Sequence, residues 1–300
     1  MRFHILPVVG VLLMPVLLTA CRQPPPHERV GWKAEEFFTD AKAIALCKAI
    51  EAKDLDKIDE LVKDGADVNA KGRGNMTPLL WAFPAGESVF QRLLEHGADP
   101  NVQVTMRMRP GIYPSESVTY LAAYTGIALR GTFPDVPMDN YLKLVLAHGG
   151  NPNLETEDGE TPLFAAVSGG RNSSDRTRML LKAGADINHR SSSGSTPAMV
   201  AEASWHYYDL LVLLEAGANC RLVNKAGRDV VNLVAERTQR PPRLESEQAV
   251  CDFLETQGFD LKAARHAIVT GQPIRGIPAD QRPWLNPKKD VAKKPQGQAK

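Results

Sequence analysis

The stretch Leu61-Val62-Lys63-Asp64-Gly65-Ala66-Asp67, followed by Thr77-Pro78-Leu79, decides the fold of this 300-residue chain, because both parts recur. A leucine-rich segment that ends in Gly, a small residue and Asp or Asn is found four more times, at Gly97-Ala98-Asp99, Gly149-Gly150-Asn151, Gly184-Ala185-Asp186 and Gly217-Ala218-Asn219. Thr-Pro followed by an apolar residue recurs at Thr161-Pro162-Leu163 and Thr196-Pro197-Ala198. The glycine and the threonine are 12 residues apart in the three units that have both, and the same step from Gly217 leads to Asp229. This fixed offset predicts a repeat architecture.

The recurring residue types are those that begin and end short paired helices. A Thr or Asp side chain accepts a backbone N–H at the helix start, and Pro fits the first helical position, where its missing N–H would have no partner. Small residues follow, at Ala82, Ala165-Ala166 and Ala201, and let two helices pack closely. The glycine takes the left-handed conformation that ends the second helix. Apolar residues three, four and seven positions before the glycines form a stripe that faces a neighbouring unit, with a break at Thr177: Val62, Leu61 and Ile58; Leu94, Leu93 and Phe90; Leu181 and Leu180; Leu214, Leu213 and Leu210.

These residues resemble the ankyrin repeat, whose unit of about 33 residues has a T-P-L-H-x-A helix start and a G-A-D turn. The resemblance covers roughly residues 41–261 and implies an all-α repeat solenoid of paired helices with β-turn or finger loops. About six units are predicted. The first, at 41–69, lacks the Thr-Pro start, and the last runs from Asp229 to Gly258-Phe259-Asp260-Leu261, since terminal units are often atypical. Residues 262–300 are predicted to be a C-terminal extension that becomes a basic, disordered tail from about residue 275.

The N-terminal segment has the features of a cleavable signal. Residues 1–20 contain an early positive charge and an uncharged stretch, 5–18, that is too short to span a bilayer. Leu18-Thr19-Ala20-Cys21 resembles the lipobox of bacterial lipoproteins, which implies that Cys21 is acylated and becomes the mature N-terminus. Arg22 stands where many inner-membrane lipoproteins have aspartate, so the resemblance favours the outer membrane, facing the periplasm. Residues 21–40 are then a lipidated end and a tether, proline-rich over 22–35; the alternative is an ordinary secretory signal with Cys21 incidental.

Composition and the absence of known motifs exclude several classes of protein. The net charge of +1 argues against broad nucleic-acid binding. Apart from Cys21 the chain has Cys47, Cys220 and Cys251, an odd number without metal-ligand spacing. We expect Cys47 and Cys251 to pack in the core. The sequence leaves undecided whether Cys220 and Cys251 form a disulfide. No G-x-S-x-G, P-loop or H-E-x-x-H motif occurs. The sequence therefore predicts no catalytic residue, no metal, no cofactor and no enzyme activity.

Two insertions interrupt the third unit. Its helix start, Ser117, comes 20 residues after Gly97, and the added residues 102–116 alternate apolar and polar side chains up to Pro110-Gly111, which predicts a lengthened β-finger. The second insertion, at 127–138, lies between the two helices of the unit. Arg, Met and aromatic residues on projecting loops suit protein contacts, and free drift of a surface loop is the alternative. The candidate partner-binding residues of the insertions are Met106, Arg107, Met108, Arg109, Tyr113 and Phe133.

A third departure from the repeat is Trp205-His206-Tyr207-Tyr208. Trp205 occupies the position of a turn glycine, and Tyr208 falls where an exposed polar residue is usual in the repeat that the chain resembles. We interpret both as surface aromatics and candidate partner contacts, with a local packing repair as the alternative. Tyr207 falls on a core position and is predicted to pack inside.

The resemblance implies a non-enzymatic protein–protein interaction module, working as a monomer on an unknown envelope or periplasmic protein. A narrower form is an inhibitor or immunity protein against an envelope-acting toxin such as a secreted lipase. A second hypothesis is a structural or assembly lipoprotein that tethers an envelope machine or the cell wall. The basic tail would serve that role, through Lys288, Lys289, Lys293, Lys294 and Lys300.

Overall fold

The computed structural model of the chain describes residues 27, 31–108, 112–124, 138–169, 174–238, 244–271 and 279–285. Its helices are α1 (Ala34–Phe37), α2 (Ala41–Ala52), α3 (Leu55–Lys63), α4 (Pro78–Ala82), α5 (Glu87–Glu95), α6 (Val118–Ala123), α7 (Met138–Ala147), α8 (Pro162–Ser168), α9 (Ser174–Lys182), α10 (Pro197–Ala203), α11 (Tyr207–Glu215), α12 (Val230–Arg237), α13 (Glu245–Thr256) and α14 (Leu261–Val269). Short 3-10 turns lie at Arg73–Asn75, Ala279–Gln281 and Pro283–Leu285. No helix among these described ranges is long and apolar enough to cross a membrane.

The predicted all-α repeat solenoid is confirmed. Six helix pairs, from α2–α3 to α12–α13, follow one another along the chain. First helices pack on first helices, as α8 does on α6 and α10, and second helices pack on second helices, as α11 does on α9 and α13. This stacking buries one continuous core through the whole solenoid.

The antiparallel arrangement of each pair gives the solenoid two edges. The loop edge is where a first helix ends and a second helix begins, for example at residues 204–206. The finger edge is where a second helix ends in a glycine and the chain makes a turn or finger before the next first helix. The glycines at the finger edge have the left-handed conformation that the sequence predicts, with φ of +84° at Gly97 and +93° at Gly217.

Side-chain oxygens begin the first helices as the sequence predicts. Four of them accept the backbone N–H three residues ahead, at distances between 2.8 and 3.4 Å: Thr77, Ser117, Thr196 and Asp229. The Thr161 side chain makes no capping bond of this kind. The small residues Ala82, Ala165, Ala166 and Ala201 are fully buried, which is consistent with close helix packing.

An asparagine ladder joins successive turns along the finger edge. Asn153 donates from Nδ2 to the carbonyl oxygen of Gly184 at 2.9 Å, and its Oδ1 accepts the N–H of Asp186 at 2.7 Å. Asn69 and Asn101 each make both equivalent bonds to the turn of the following unit, and Asn188 makes one of them. The asparagine ladder therefore consists of Asn69, Asn101, Asn153 and Asn188. These bonds fix the spacing between neighbouring fingers.

The N-terminal end of the solenoid is covered by aromatic side chains. His27 donates from Nε2 to the carbonyl oxygen of Trp81 at 2.7 Å and stacks on the Trp81 ring at 5.3 Å between centroids. Trp32 and Phe38 pack on the same ring and are 5% and 3% exposed. The prediction of a tether is therefore wrong for His27 and residues 31–38, because these side chains pack on Trp81, which belongs to the second unit. Residues 1–26, with the predicted signal and Cys21, lie outside the described part of the chain.

The C-terminal end is covered in a similar way. Helix α14 packs on α12, and residues 279–285 return to the finger edge of the last unit. Arg282 is fully buried and its Nη1 donates to Asp229 Oδ2 at 2.6 Å, while Trp284 Nε1 donates to the same oxygen at 3.3 Å. The prediction of a tail from about residue 275 is therefore wrong for residues 279–285. The lysines of the basic tail lie beyond the described residues.

Candidate protein-binding surface

The finger of the third unit is a hairpin built by backbone bonds. The N–H of Val104 donates to Glu116 O at 3.0 Å, and the N–H of Ser115 donates to Val104 O at 2.7 Å. Nearer the tip, Met108 and Ile112 exchange both backbone bonds, at 2.8 and 3.0 Å. The pairing agrees with the finger that the apolar–polar alternation predicts, and Val104, Met108 and Ile112 are the buried side chains.

The apolar side of the finger packs on the second unit. The N–H of Thr105 donates to Gly74 O at 3.0 Å, and the side chains of Met106 and Met108 lie so close to Gly74 that a Cβ there would overlap both. Met108 is 5% exposed, and Met106 is partly buried against the core. The expectation that Met108 contacts a partner is therefore corrected, because the glycine of the neighbouring unit admits its side chain inward. Met106 offers only part of its surface.

The polar side of the finger is bonded to the fourth unit. Gln103 donates from Nε2 to the carbonyl oxygens of Ser115 and Glu155, at 2.6 Å each. The hydroxyl of Ser115 accepts the N–H of Glu157 at 2.6 Å. Ser115 itself has φ of +65°, a conformation that is uncommon outside glycine. Because the finger is bonded to both neighbouring units, it presents its exposed side chains in a fixed geometry.

A cavity of about 410 Å³ opens between the finger and the turn of the fourth unit. We call it the finger groove, and four of its lining side chains are carboxyl groups. The groove is lined by Glu116, Glu157, Asp158 and Glu160 together with Tyr113, Pro114, Ser115, Tyr120 and Thr156. Its chemistry is therefore acidic and aromatic, which suits a basic side chain better than an anionic group.

Two groups in the finger groove, a carboxyl and a phenol, have strongly raised pKa values. Burial raises the pKa of the Glu116 carboxyl to about 7, and the charge of Glu160 adds to the rise, although Glu116 accepts the Tyr113 N–H at 2.9 Å. Tyr120 donates from its hydroxyl to Glu160 at 3.0 Å, and burial raises its pKa well above the ordinary range. Glu116 thus changes charge near neutral pH, while Tyr120 stays protonated and holds Glu160 in place.

Arg107 and Tyr113, two of the predicted contact residues, come together at the rim of the finger. The guanidinium carbon of Arg107 lies 4.9 Å from the centre of the Tyr113 ring, and Tyr113 is 48% exposed. A stacked Arg–Tyr pair is a frequent component of protein interfaces. Arg109, with the turn at 110–111, and Phe133 lie outside the described residues.

Trp205 and Tyr208 lie on the loop edge, so the structure does not bring them together with the finger. Both are exposed as expected, by 50% and 61%, and Tyr207 is buried at 2% as the sequence predicts. Trp205 has φ of +63°, which confirms that it stands at a left-handed turn position. Arg237 stacks on the Trp205 ring, with its guanidinium carbon 3.8 Å from the ring centre.

The groove residues other than Tyr113 were not predicted from the sequence. Glu116 and Tyr120 lie next to the Ser117 helix start, and Glu160 directly precedes the equivalent Thr161. Each looks like an ordinary surface position until the finger brings the third and fourth units together. One signal is present in the sequence: Pro114-Ser115 marks a turn on the returning strand of the finger.

The three cysteines other than Cys21, namely Cys47, Cys220 and Cys251, are buried free thiols. Cys220 and Cys251, whose pairing the sequence leaves undecided, do not form a disulfide. Burial raises the pKa of Cys220 to about 12. Within the described ranges no group of three or more His, Cys, Asp or Glu side chains could hold a metal ion.

Comparison with known proteins agrees with this architecture. Residues 137–224 match the family model of ankyrin repeats in three copies. A solved ankyrin repeat domain from Acinetobacter baumannii AYE is similar with a TM-score of 0.55 at 23% identity, over 69% of this chain and 96% of that one.

Two curated proteins are similar over part of their length. The "Putative palmitoyltransferase ZDHHC13" of Danio rerio is 27% identical over 181 residues, which are 58% of this chain and 24% of that protein. The ankyrin repeat-containing protein P1E11.10 of Schizosaccharomyces pombe is 41% identical over 76 residues, or 24% of this chain and 36% of that protein. The chain thus spans about a quarter to a third of the length of these relatives.

The chain therefore has the ankyrin-repeat fold, and its repeats indicate a protein–protein interaction module. This fold is typically non-catalytic.

Proposed function

We propose that this chain is a non-enzymatic protein-binding module, anchored in the bacterial envelope through acylated Cys21 and facing the periplasm. The observation that carries the binding function is the finger of the third unit, which is bonded to both neighbouring units and presents Arg107 and Tyr113 beside the finger groove. The anchor is supported by the resemblance of Leu18-Thr19-Ala20-Cys21 to a lipobox.

The charge of the groove supports a partner that inserts a lysine or arginine side chain. Four carboxyl groups line the groove, and Tyr120 binds one of them, Glu160, without neutralising it. Attraction between opposite charges guides a partner to its site and fixes its orientation. The stacked Arg107–Tyr113 pair at the rim supplies the flat aromatic surface on which a partner backbone or ring can rest.

The test is capture of the partner from envelope extract by the acylated full-length chain, followed by identification of what stays bound. Tyr113→Ala and the double variant Arg107→Glu with Arg109→Glu are expected to lose most of the capture. Tyr208→Ala removes an exposed tyrosine from the loop edge and is the matched control. Loss of capture in Tyr208→Ala with full capture in Tyr113→Ala would overturn the assignment of the site.

The narrower form of this function is an inhibitor or immunity protein that covers the active site of an envelope-acting toxin, such as a secreted lipase. A finger bonded to both neighbours is suited to this, because little conformational freedom is lost on binding. The test is inhibition of the captured enzyme by the wild-type chain, with Tyr113→Ala as the variant expected to inhibit poorly.

The alternative is a structural or assembly lipoprotein that holds an envelope machine or the cell wall through its basic tail. Because residues 279–285 pack on the last unit, the informative deletion begins after Leu285. If that deletion abolishes wall association while the finger variants stay normal, the structural role is the correct one.

A further inference from the structure

The exposed large apolar side chains are concentrated on one edge of the solenoid. In the part of the chain that the structure describes there are five of them, at Tyr113, Trp205, Tyr208, Leu244 and Val269. Only Tyr113 belongs to the finger edge. The other four occupy the loop edge of the last two units and of the helix that covers them.

The connectivity places these four side chains at the loop edge. Trp205 lies between α10 and α11, and Tyr208 is in the first turn of α11. Leu244 is the residue before α13. Helix α14 begins at the finger edge, where the N–H of Asp260 donates to Trp284 O at 3.1 Å, so its last residue, Val269, reaches the loop edge.

Trp205 is held in a defined place despite being half exposed. Its φ of +63° is unfavourable for a bulky residue, and a glycine would take it without cost. Arg237 lies over the ring and also donates from Nε to the buried carboxylate of Glu202 at 3.0 Å. An indole fixed outward at an unfavourable backbone conformation suggests that the exposed ring itself has a use.

The N-terminal chain also leaves the solenoid at the loop edge. His27 is bound to the carbonyl oxygen of Trp81, which is near the end of the first helix of the second unit. Cys21 is six positions before His27, so even a fully extended chain would keep an acylated Cys21 within roughly 20 Å of that edge.

We propose that the loop edge rests on the lipid bilayer, with Trp205, Tyr208, Leu244 and Val269 at the headgroup level and the fingers directed away from the membrane. The inference rests on the lipid anchor of the proposed function. Trp and Tyr favour the membrane interface because one end of each ring system is apolar and the other is polar. The anchor keeps the edge at high local concentration, so a small apolar surface suffices.

Charge does not explain the contact of the described side chains. Among the described residues of the loop edge, Arg237 is accompanied by the exposed carboxylates of Asp175 and Glu245, so this part of the edge is not uniformly basic. The contact is therefore expected to be apolar, to form on zwitterionic lipid and to be insensitive to salt.

The experiment uses the acylated full-length chain in phosphatidylcholine vesicles that contain brominated acyl chains, which quench tryptophan emission at short range. Trp205 is 50% exposed, whereas Trp32, Trp81 and Trp284 are at most 5% exposed, so the difference between wild type and Trp205→Phe isolates Trp205. We expect that difference emission to be quenched in part, as for a ring at headgroup level. Leu244→Asp should reduce the quenching, and high salt should not.

A second reporter tests the orientation. Tyr113→Trp in the Trp205→Phe background places the probe on the finger edge, roughly 15 Å further along the helices. Equal quenching of both probes, or an unquenched Trp205 in chains that float with the vesicles, would overturn the orientation but leave the anchor intact. Chains that fail to float would overturn the anchor and the orientation together. Shielding of Trp205 that requires added envelope extract would assign the loop edge to a protein partner instead.

Discussion

At the scale of single residues, Ser115 and Glu116 determine the character of the finger groove. The positive φ of Ser115 turns the returning strand so that its hydroxyl bonds the fourth unit and the next side chain points into the groove. Glu116 is then partly removed from water, with Glu160 on the opposite wall. The cost of keeping a charge there is what raises the pKa of Glu116 to about 7.

Glu116→Gln is expected to stabilise the protein above neutral pH. The pKa of Glu116 is about 7 in the folded chain and near 4.5 when exposed, so between these values the folded state binds more protons than the unfolded state. The free energy of unfolding of the wild type therefore falls as pH rises from about 4.5 through 7. Gln keeps the acceptor for the Tyr113 N–H without the charge and should gain about 1–2 kcal/mol at pH 8.

Urea unfolding at pH 5 and pH 8 measures this difference. Glu157→Gln is the matched control, because it removes an exposed carboxyl from the same groove and leaves Glu116 in place. A Glu116→Gln variant with the pH dependence of the wild type would contradict the buried position of the carboxyl.

The same ionisation should control partner binding. If a basic side chain of the partner enters the groove, affinity should increase several-fold between pH 6 and pH 8 as Glu116 becomes charged. Titration of the captured partner at both values measures it, and Glu116→Gln should bind with little dependence on pH. An affinity that rises on acidification would indicate an acidic partner.

At the scale of elements, the asparagine ladder connects the fingers more directly than the helices do. Each of its residues lies four positions after a turn glycine, but the spacing alone predicts no role for them. The glycine and the helix caps act within one unit and follow from local rules of chain geometry. The ladder acts between units, and its bonds appear only when two turns are stacked.

Asn153→Ala is expected to lower the free energy of unfolding by about 1–3 kcal/mol, because it removes two hydrogen bonds to the turn of the next unit. Asn188→Ala removes the single bond to Asn219 and should cost about half as much. Chemical denaturation of both variants measures the difference. Equal costs would mean that the ladder bonds are replaced by water and that the turns are positioned by the helices alone.

The finger shows where prediction from sequence succeeds and where it ends. Its alternation gives the hairpin and the two faces, because side chains of a strand point to opposite sides. Which face is buried depends on the neighbouring unit: Met106 and Met108 pack inward because Gly74, about 30 positions earlier, leaves room for them. That information is not local in the sequence. The alternation alone therefore predicts partner contact equally for Tyr113, which is exposed, and for Met108, which is buried.

At the scale of the whole molecule, both ends of the solenoid are covered by segments outside the repeats. A stack of repeats leaves an apolar face at each end, and terminal units must be covered or made polar. In the N-terminal part, Trp32 and Phe38 pack on Trp81 of the second unit, and at the C-terminal end Trp284 packs beside Asp229. The repeat pattern does not contain these segments, and their composition instead predicts a tether and a tail.

The C-terminal cover gives the sharpest test at this scale. Asp229 is a fully buried carboxylate that begins α12 and bonds Arg282, which is itself fully buried. Removing one member of such a pair leaves an uncompensated buried charge and typically costs about 3–5 kcal/mol.

Arg282→Met in the full-length chain, or a chain that ends at residue 278, should therefore lose about that much stability in urea unfolding. A chain that ends at Leu285 keeps the pair and should match the wild type. If both truncations were equally stable, residues 279–285 would contribute nothing to covering the last repeat.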